Sequence, residues 1–325
     1  MATLFAATGN GLARLAEYDG TWHADPMLEG SGAQCLALAS GSQPQSLFAG
    51  CRGGGVWRSD DAGVTWRDLG VPERDVFSVA VSAADRALYA GCEPSRLFRS
   101  RDGGASWEAL DALLDLPSAP TWSFPPRPWT SHVRWIAQSP HDPDLLLVGI
   151  ELGGLMRTTD GGRTWQDHRP GAQPDVHAIA WHPTAEGRAY EAGGGGAAWS
   201  ADGGETWRPA DDGRDRHYTW ALAVDPANAD TWFVSASGGP FDAHRADRHA
   251  EAYVYRWRAD GPWAALDGGL PQPLDVMPYA LTFAGDRLFA GLRDGRLYAS
   301  SDGGDTWAEQ RVEGAGISRI TALAG

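Results

Sequence analysis

Residues 158–165 read TTDGGRTW, an aspartate, two glycines and a tryptophan within eight positions. Close copies stand at 59–66 (SDDAGVTW), 100–107 (SRDGGASW), 200–207 (SADGGETW) and 300–307 (SSDGGDTW). Two eroded copies, YDGTW ending at Trp22 and RWRADGPW ending at Trp263, fill the gaps. The seven closing tryptophans are 44, 41, 58, 42, 56 and 44 residues apart, and a period in the low forties is that of a four-stranded propeller blade.

Each unit has the same grammar. An apolar strand a (VHAIAWHP, from residue 176) precedes a strand b (DLLLVGI, from 144), a glycine-rich turn and a strand c (GLMRTT, from 154). The octapeptide then turns the chain into strand d. The N-terminal TLFAATGNGLARL supplies strands b and c without a strand a, whereas GISRITALAG at the C-terminus reads as a lone strand a. The expectation is an all-β, seven-bladed β-propeller of four-stranded antiparallel blades, a single domain over 1–325. Its first blade would combine 317–325 with 1–25, so that the C-terminal strand seals the ring and leaves no open edge.

In the octapeptide, Asp160 is placed to accept hydrogen bonds from its own turn, Gly161 and Gly162 tolerate positive φ, and Trp165 is large enough to fill space between blades. A site recurring in nearly every blade reads as a hairpin staple, so Asp61, Asp102, Asp160, Asp202 and Asp302 are expected to be structural. The motif resembles the Asp box, or BNR repeat, of bacterial sialidases, sortilin-type receptors, xyloglucan hydrolases and a photosystem II assembly factor. That resemblance implies the propeller fold. Those relatives do unrelated things, so it implies no single activity. True sialidases have six blades, an Arg-Ile-Pro motif and an arginine triad; seven units and no Arg-Ile-Pro argue against sialidase activity here.

The net charge of −15 argues against nucleic-acid partners and anionic membranes. No stretch approaches the ~18 apolar residues of a membrane span, and the N-terminal residues lack a signal-peptide pattern, so a cytoplasmic location is expected. Cys35, Cys51 and Cys92 form no metal-ligand spacing and are expected to be free buried thiols. Serine-nucleophile, P-loop and dinucleotide signatures are absent. GGGG at 193–196 is expected to be a b–c turn, and HRADRH at 244–249 is a histidine-containing loop with only a weak metal-binding signal.

In a propeller the d–a and b–c connections share one face, opposite the c–d turns that carry the octapeptides. Both long spacings come from insertions on that shared face, a d–a insertion at about 114–131 and a b–c insertion at about 237–252. Long loops of this kind commonly carry function. Strand a lines the channel, and aligning its copies gives one tier of Leu36, Phe77, Arg134, His177, Trp220, Tyr279 and Thr321. Two residues nearer the loop face come Gln34, Asp75, His132, Asp175, Tyr218, Met277 and Arg319, and the b–c turns add Arg52, Glu93, Glu151 and Arg293. These positions differ from blade to blade, as an asymmetric ligand site requires.

His132, Glu151, His177 and Glu93 are the candidate acid–base residues, the two glutamates as a pair suited to glycoside chemistry. Arg52, Arg134, Arg293 and Arg319 would orient an anion, Tyr218, Trp220 and Tyr279 would stack against a sugar or another ring, and Trp122 and Trp129 would cover it. A divalent metal on His132, His177 and Glu151, with His217 as a further ligand, is the candidate cofactor. The functional expectation is a propeller binding a small polar or anionic, carbohydrate-like ligand at the channel mouth, as a hydrolase or lyase. The alternative is a non-catalytic scaffold with a protein partner on the same face.

Overall fold

The computed structural model describes residues 2–42, 44–245, 247–259, 261–314 and 316–325. Seven sheets form in the chain, antiparallel except for one parallel edge pair in the sheet that joins the two ends. Their innermost strands contact one another in a closed circuit: Ala33–Leu38, Val76–Val81, Val133–Gln138, Val176–Trp181, Tyr218–Val224, Pro278–Ala284 and Ala322–Ala324. The chain is a seven-bladed β-propeller. Blades 2, 3, 5, 6 and 7 have four strands in the order a-b-c-d. In blade 4 the sheet holds three strands, and strand d is reduced to one bridge between Arg157 and Gln166. Among the described residues no helix is long and apolar enough to cross a membrane.

Blade 1 joins the two ends of the chain. Ala322–Ala324 pairs antiparallel with Thr3–Ala7, with Phe5 opposite Ala324 and Ala7 opposite Ala322. Val312–Gly314 lies parallel to strand d, Thr21–Met27, at the opposite edge of the same sheet. The C-terminal run therefore clasps blade 1 from both sides, and only the inner half of that clasp was expected.

The cores lie between blades, where strands b and c are buried on both faces. Strand b of blade 4, Leu146–Ile150, is fully buried because its alternate side chains enter the two neighbouring interfaces. Each octapeptide forms a c–d turn. Thr164 donates to Asp160 through its N–H (2.9 Å to Oδ1) and its hydroxyl (2.6 Å to Oδ2), and the Thr158 hydroxyl donates to Oδ1 at 2.8 Å. The same three bonds recur at Asp61, Asp102, Asp202 and Asp302. Gly161 and Gly162 take φ of 71° and 87°, which side-chain-bearing residues rarely adopt. Asp260, the aspartate of the eroded copy before Trp263, lies outside the described residues.

The turns also tie blades together. An arginine just before the motif, or in the eroded copy its first residue Arg256, donates to the carbonyl of the first motif glycine in the next blade. Arg99 does so to Gly161 at 2.6 Å, Arg157 to Gly203 at 2.7 Å, Arg58 to Gly103 at 3.0 Å and Arg256 to Gly303 at 2.6 Å.

Candidate functional site

In blades 2 to 7 the pairing of strand a with strand b skips at one place near its start. The skips fall at Ala33/Cys35, Val76/Ser78, Val133/Trp135, Val176/Ala178, Thr219/Leu222 and Pro278/Ala280. Such a bulge inserts an extra residue and re-aims its side chain. The residues at the bulges are Gln34, Phe77, Arg134, His177, Trp220 with Ala221, and Tyr279, and with Thr321 they line one central cavity of about 150 Å³. Beneath them Leu36, Val79, Ile136, Leu222, Leu281 and Leu323 form an apolar floor. Blade 2 corrects the sequence alignment: Leu36 pairs as Val79 does, and Gln34 takes the position of Phe77. The run LALA at 36–39 offers two identical apolar–small pairs, and a shift of two residues preserves the strand's facing, so periodicity alone does not distinguish them.

His132 is almost wholly buried, stacked on Phe77 with centroids 4.0 Å apart and met edge-on by Phe124 at 4.9 Å. Its Nε2 lies 2.7 Å from Glu151 Oε2 and its Nδ1 3.5 Å from Glu93 Oε2. Arg127, from the insertion before blade 4, donates to both Glu93 oxygens at 2.9 and 2.5 Å. Arg134 Nε stands 3.6 Å from Glu151 Oε2. Burial pushes the Glu151 carboxyl up, but the His132 hydrogen bond and the Arg134 charge outweigh it and hold the group at about 2. Glu151 is thus ionised at neutral pH, and Glu93 has both oxygens committed to Arg127.

On the adjacent wall His177, equally buried, has Nδ1 2.6 Å from the Thr219 carbonyl and Nε2 3.4 Å from Asp175 Oδ2. It packs beside Trp220 at 4.5 Å and Tyr218 at 4.9 Å. Trp220 stacks on Tyr279 at 5.2 Å and carries the Arg134 guanidinium 4.7 Å from its ring centre. Buried polar atoms of Asp75, His132, Arg134, Asp175 and His177 have no hydrogen-bond partner among the described residues. Such concentration at one place is unusual, because nearly all buried polar atoms find a partner. Glu151, Asp175 and His177 each bring one ligating atom within 4.8 Å of the others.

Several expected site residues lie elsewhere or do something different. His217 is exposed and outside this group, and Asp175 stands in the place it was to fill. Trp122 is packed into the core with Leu113, Leu116 and Ile150, and Trp129 is 79% exposed, so the insertion reaches the site through Phe124 and Arg127 instead. Arg293 donates to the carbonyls of His244 and Arg245 and so holds the blade 6 loop. Arg52 lies over Phe77 at 5.4 Å, whereas Arg319 is exposed beside Gly9. Met277 is fully buried in the core, and the three cysteines are free thiols.

His244 was not singled out from sequence. It bridges Tyr218 (2.9 Å between Nε2 and the hydroxyl) and Tyr279 (2.5 Å between Nδ1 and the hydroxyl), which brings the blade 6 insertion onto the channel wall. The one available signal was its place in an unusually long loop on the same face as the candidate tiers.

No family model matches the sequence, and no curated protein does. Solved structures match at low identity. The GH74 xyloglucanase from Xanthomonas campestris superposes with a TM-score of 0.65 at 19% identity, covering 95% of this chain and 47% of the enzyme. The GH74 enzyme of Niastella koreensis gives 0.66 at 14%, with coverage of 95% and 47%. YCF48 bound to D1 peptide gives 0.58 at 18%, with coverage of 85% and 79%. What they share with this chain is the fold. The chain spans about half the length of these GH74 enzymes.

Proposed function

We propose that this propeller binds a small monocyclic ligand bearing an anionic group, such as a uronic acid or a cyclic carboxylate, in the mouth of its central channel. The observation that carries this reading is Arg134, whose guanidinium lies 4.7 Å from the Trp220 ring centre at the cavity wall, with Nε 3.6 Å from Glu151 and in no hydrogen bond among the described residues. A guanidinium fixed on an aromatic face is organised in advance for a carboxylate, and its Nε is one of the donors such a group engages. Size points the same way, since a cavity of about 150 Å³ takes a six-membered ring. Arg134, His177, Gln34 and Thr321 supply polar contacts above an apolar floor, and Trp220 and Tyr279 offer ring faces.

Binding is better supported than glycoside hydrolysis. A glycosidase needs one carboxyl that carries a proton. Glu151 is held ionised, and Arg127 occupies both oxygens of Glu93. The GH74 neighbours therefore lend the fold more than the chemistry.

A thermal-shift screen of monosaccharides, uronic acids and cyclic carboxylates, followed by calorimetry, tests this reading. A bound acid is expected to raise the melting temperature in proportion to the logarithm of its concentration. Arg134→Ala is expected to weaken it roughly 10- to 100-fold, the value of a charge-assisted hydrogen bond. Unchanged affinity in Arg134→Ala and Trp220→Ala would sink the assignment.

A second reading rests on Trp129 and Phe241, 79% and 88% exposed, one on each insertion of the loop face. Exposed aromatics are enriched where proteins meet, and a structural neighbour is a propeller bound to a peptide. Substituting both by Ser would abolish capture of a protein partner and leave small-acid binding intact.

A further inference from the structure

The Arg134 wall accounts for only part of the mouth. Beside it, Glu151 at the end of strand b of blade 4 and Asp175 and His177 at the start of strand a of blade 5 converge, each offering one atom within 4.8 Å of the others. His177 is 1% exposed, and its Nε2 has no hydrogen-bond partner. Its Nδ1, 2.6 Å from the Thr219 carbonyl, donates to that oxygen, and the neutral tautomer that makes this bond carries its lone pair on Nε2. Three electron-pair donors then face one another at a partly buried site, an arrangement in which a cation among them would be stabilised.

The distances favour a metal ion over a shared proton. His177 Nε2 and Asp175 Oδ2 are 3.4 Å apart, long for an N–H···O hydrogen bond. Two ligands at ~2.0–2.2 Å from a tetrahedral zinc ion lie roughly 3.3–3.6 Å apart. Two of the three donors also have an outer partner that fixes their direction, as metal ligands usually do. The Thr219 carbonyl orients His177, and His132 orients Glu151 at 2.7 Å. Asp175 is accommodated by the glycine run of the next turn, where a Cβ on Gly194 would lie 2.1 Å from Asp175 Oδ2. GGGG therefore makes room for a carboxylate and is no phosphate cradle.

We propose that Glu151, Asp175 and His177 bind a divalent transition-metal ion of the zinc type, with a further coordination position facing the channel for water or an anion. This assignment goes beyond the Arg134 reading and does not depend on it. Arg134, near Glu151, opposes the ion by charge and would be drawn toward an anion bound to it.

The test uses the full chain, treated with EDTA and titrated with ZnCl₂ in the absence of any organic ligand. One equivalent is expected to bind by calorimetry, and Co²⁺ in its place is expected to give the visible absorption of a low-symmetry centre. His177→Ala and the nearly isosteric Asp175→Asn are expected to lose the site, whereas His217→Ala keeps it. Asp175→Asn in EDTA should melt as the wild type does, which separates lost ligation from lost folding. Gly194→Ala, which displaces the Asp175 carboxylate without removing a ligand, should weaken binding. Arg134→Ala should tighten Zn²⁺ binding while losing the small acid, so failure of the acid-binding reading would be visible separately. Absence of stoichiometric Zn²⁺ binding in the wild type, or its survival in both His177→Ala and Asp175→Asn, overturns the proposal.

Discussion

At the scale of single residues the fold treats carboxylates in two opposite ways. Asp160 is typical of the first: slight burial opposes ionisation, but the bonds from Thr164 and Thr158 hold it at about 2. Glu191 is the second case. It lies fully buried on strand b of blade 5, with one oxygen accepting from the Gln173 N–H at 2.9 Å and the other without a partner. Burial pushes it from an ordinary 4.5 up to about 8, only partly offset by the Gln173 bond. The folded state therefore holds a proton that the unfolded chain releases between those two values. Its stabilising contribution is complete below about 4.5 and is lost as pH rises toward about 8, at about 1.4 kcal/mol per pH unit. Glu191→Gln should remove this slope, so that the variant gains on the wild type in denaturant midpoint between pH 5 and pH 8.5. An identical gap between the two proteins at both values would show that Glu191 is not a buried neutral acid. Within AYEAG no spacing or neighbour marks this residue, because burial on both faces of a strand is decided by the adjoining blades.

At the scale of elements, the tip of the blade 6 insertion is held by two side chains, while its return is tied down by the Ala252–Leu274 bridge and by Arg248 pairing with Asp275 and Asp294. A single helical turn, Pro240–Ala243, delivers His244 to the hydroxyls of Tyr218 and Tyr279, and Arg293 grips the carbonyls of His244 and Arg245. Burial, with the nearby Arg293 charge, lowers His244 to about 4. At neutral pH its ring therefore donates to one tyrosine and accepts from the other. Replacing it by alanine should free the loop, and limited trypsin digestion after Arg245 and Arg248 should accelerate at least several-fold. An unchanged cleavage rate would mean that Arg293 and the Arg248 ion pairs hold the loop without His244. Length and composition were enough to locate both insertions on one face. Which side chains they present was not legible, since HRADRH offers two histidines and LPSAPTWSFPPRPWTS several aromatics of equal sequence rank. Local backbone turns chose His244 and Phe124 and sent Trp122 into the core. The bulges of strand a were equally silent, although the residues they re-aim stood out because they differ from blade to blade.

At the scale of the molecule, stability depends on closing a ring whose ends are the most distant residues in the sequence. The repeat was legible because the octapeptide's chemistry is local: each aspartate bonds residues within four positions of itself. The double clasp on blade 1 was only half legible, because Val312–Gly314 carries no periodic pattern of its own and is placed by its partner strand. Ile320 is the apolar anchor of that clasp, fully buried among Phe289, Leu297 and Leu4 where blades 7 and 1 meet. Ile320→Ala should cost ~2–5 kcal/mol, as for other large-to-small changes in a close-packed core. The distribution of the damage is the sharper measurement. In a closed ring the loss should raise amide exchange in Thr3–Ala7 and in strands a and b of blade 7 together, because one seam joins them. If exchange rises only in the C-terminal strand, the clasp frays as a local end and closure is not cooperative across the seam.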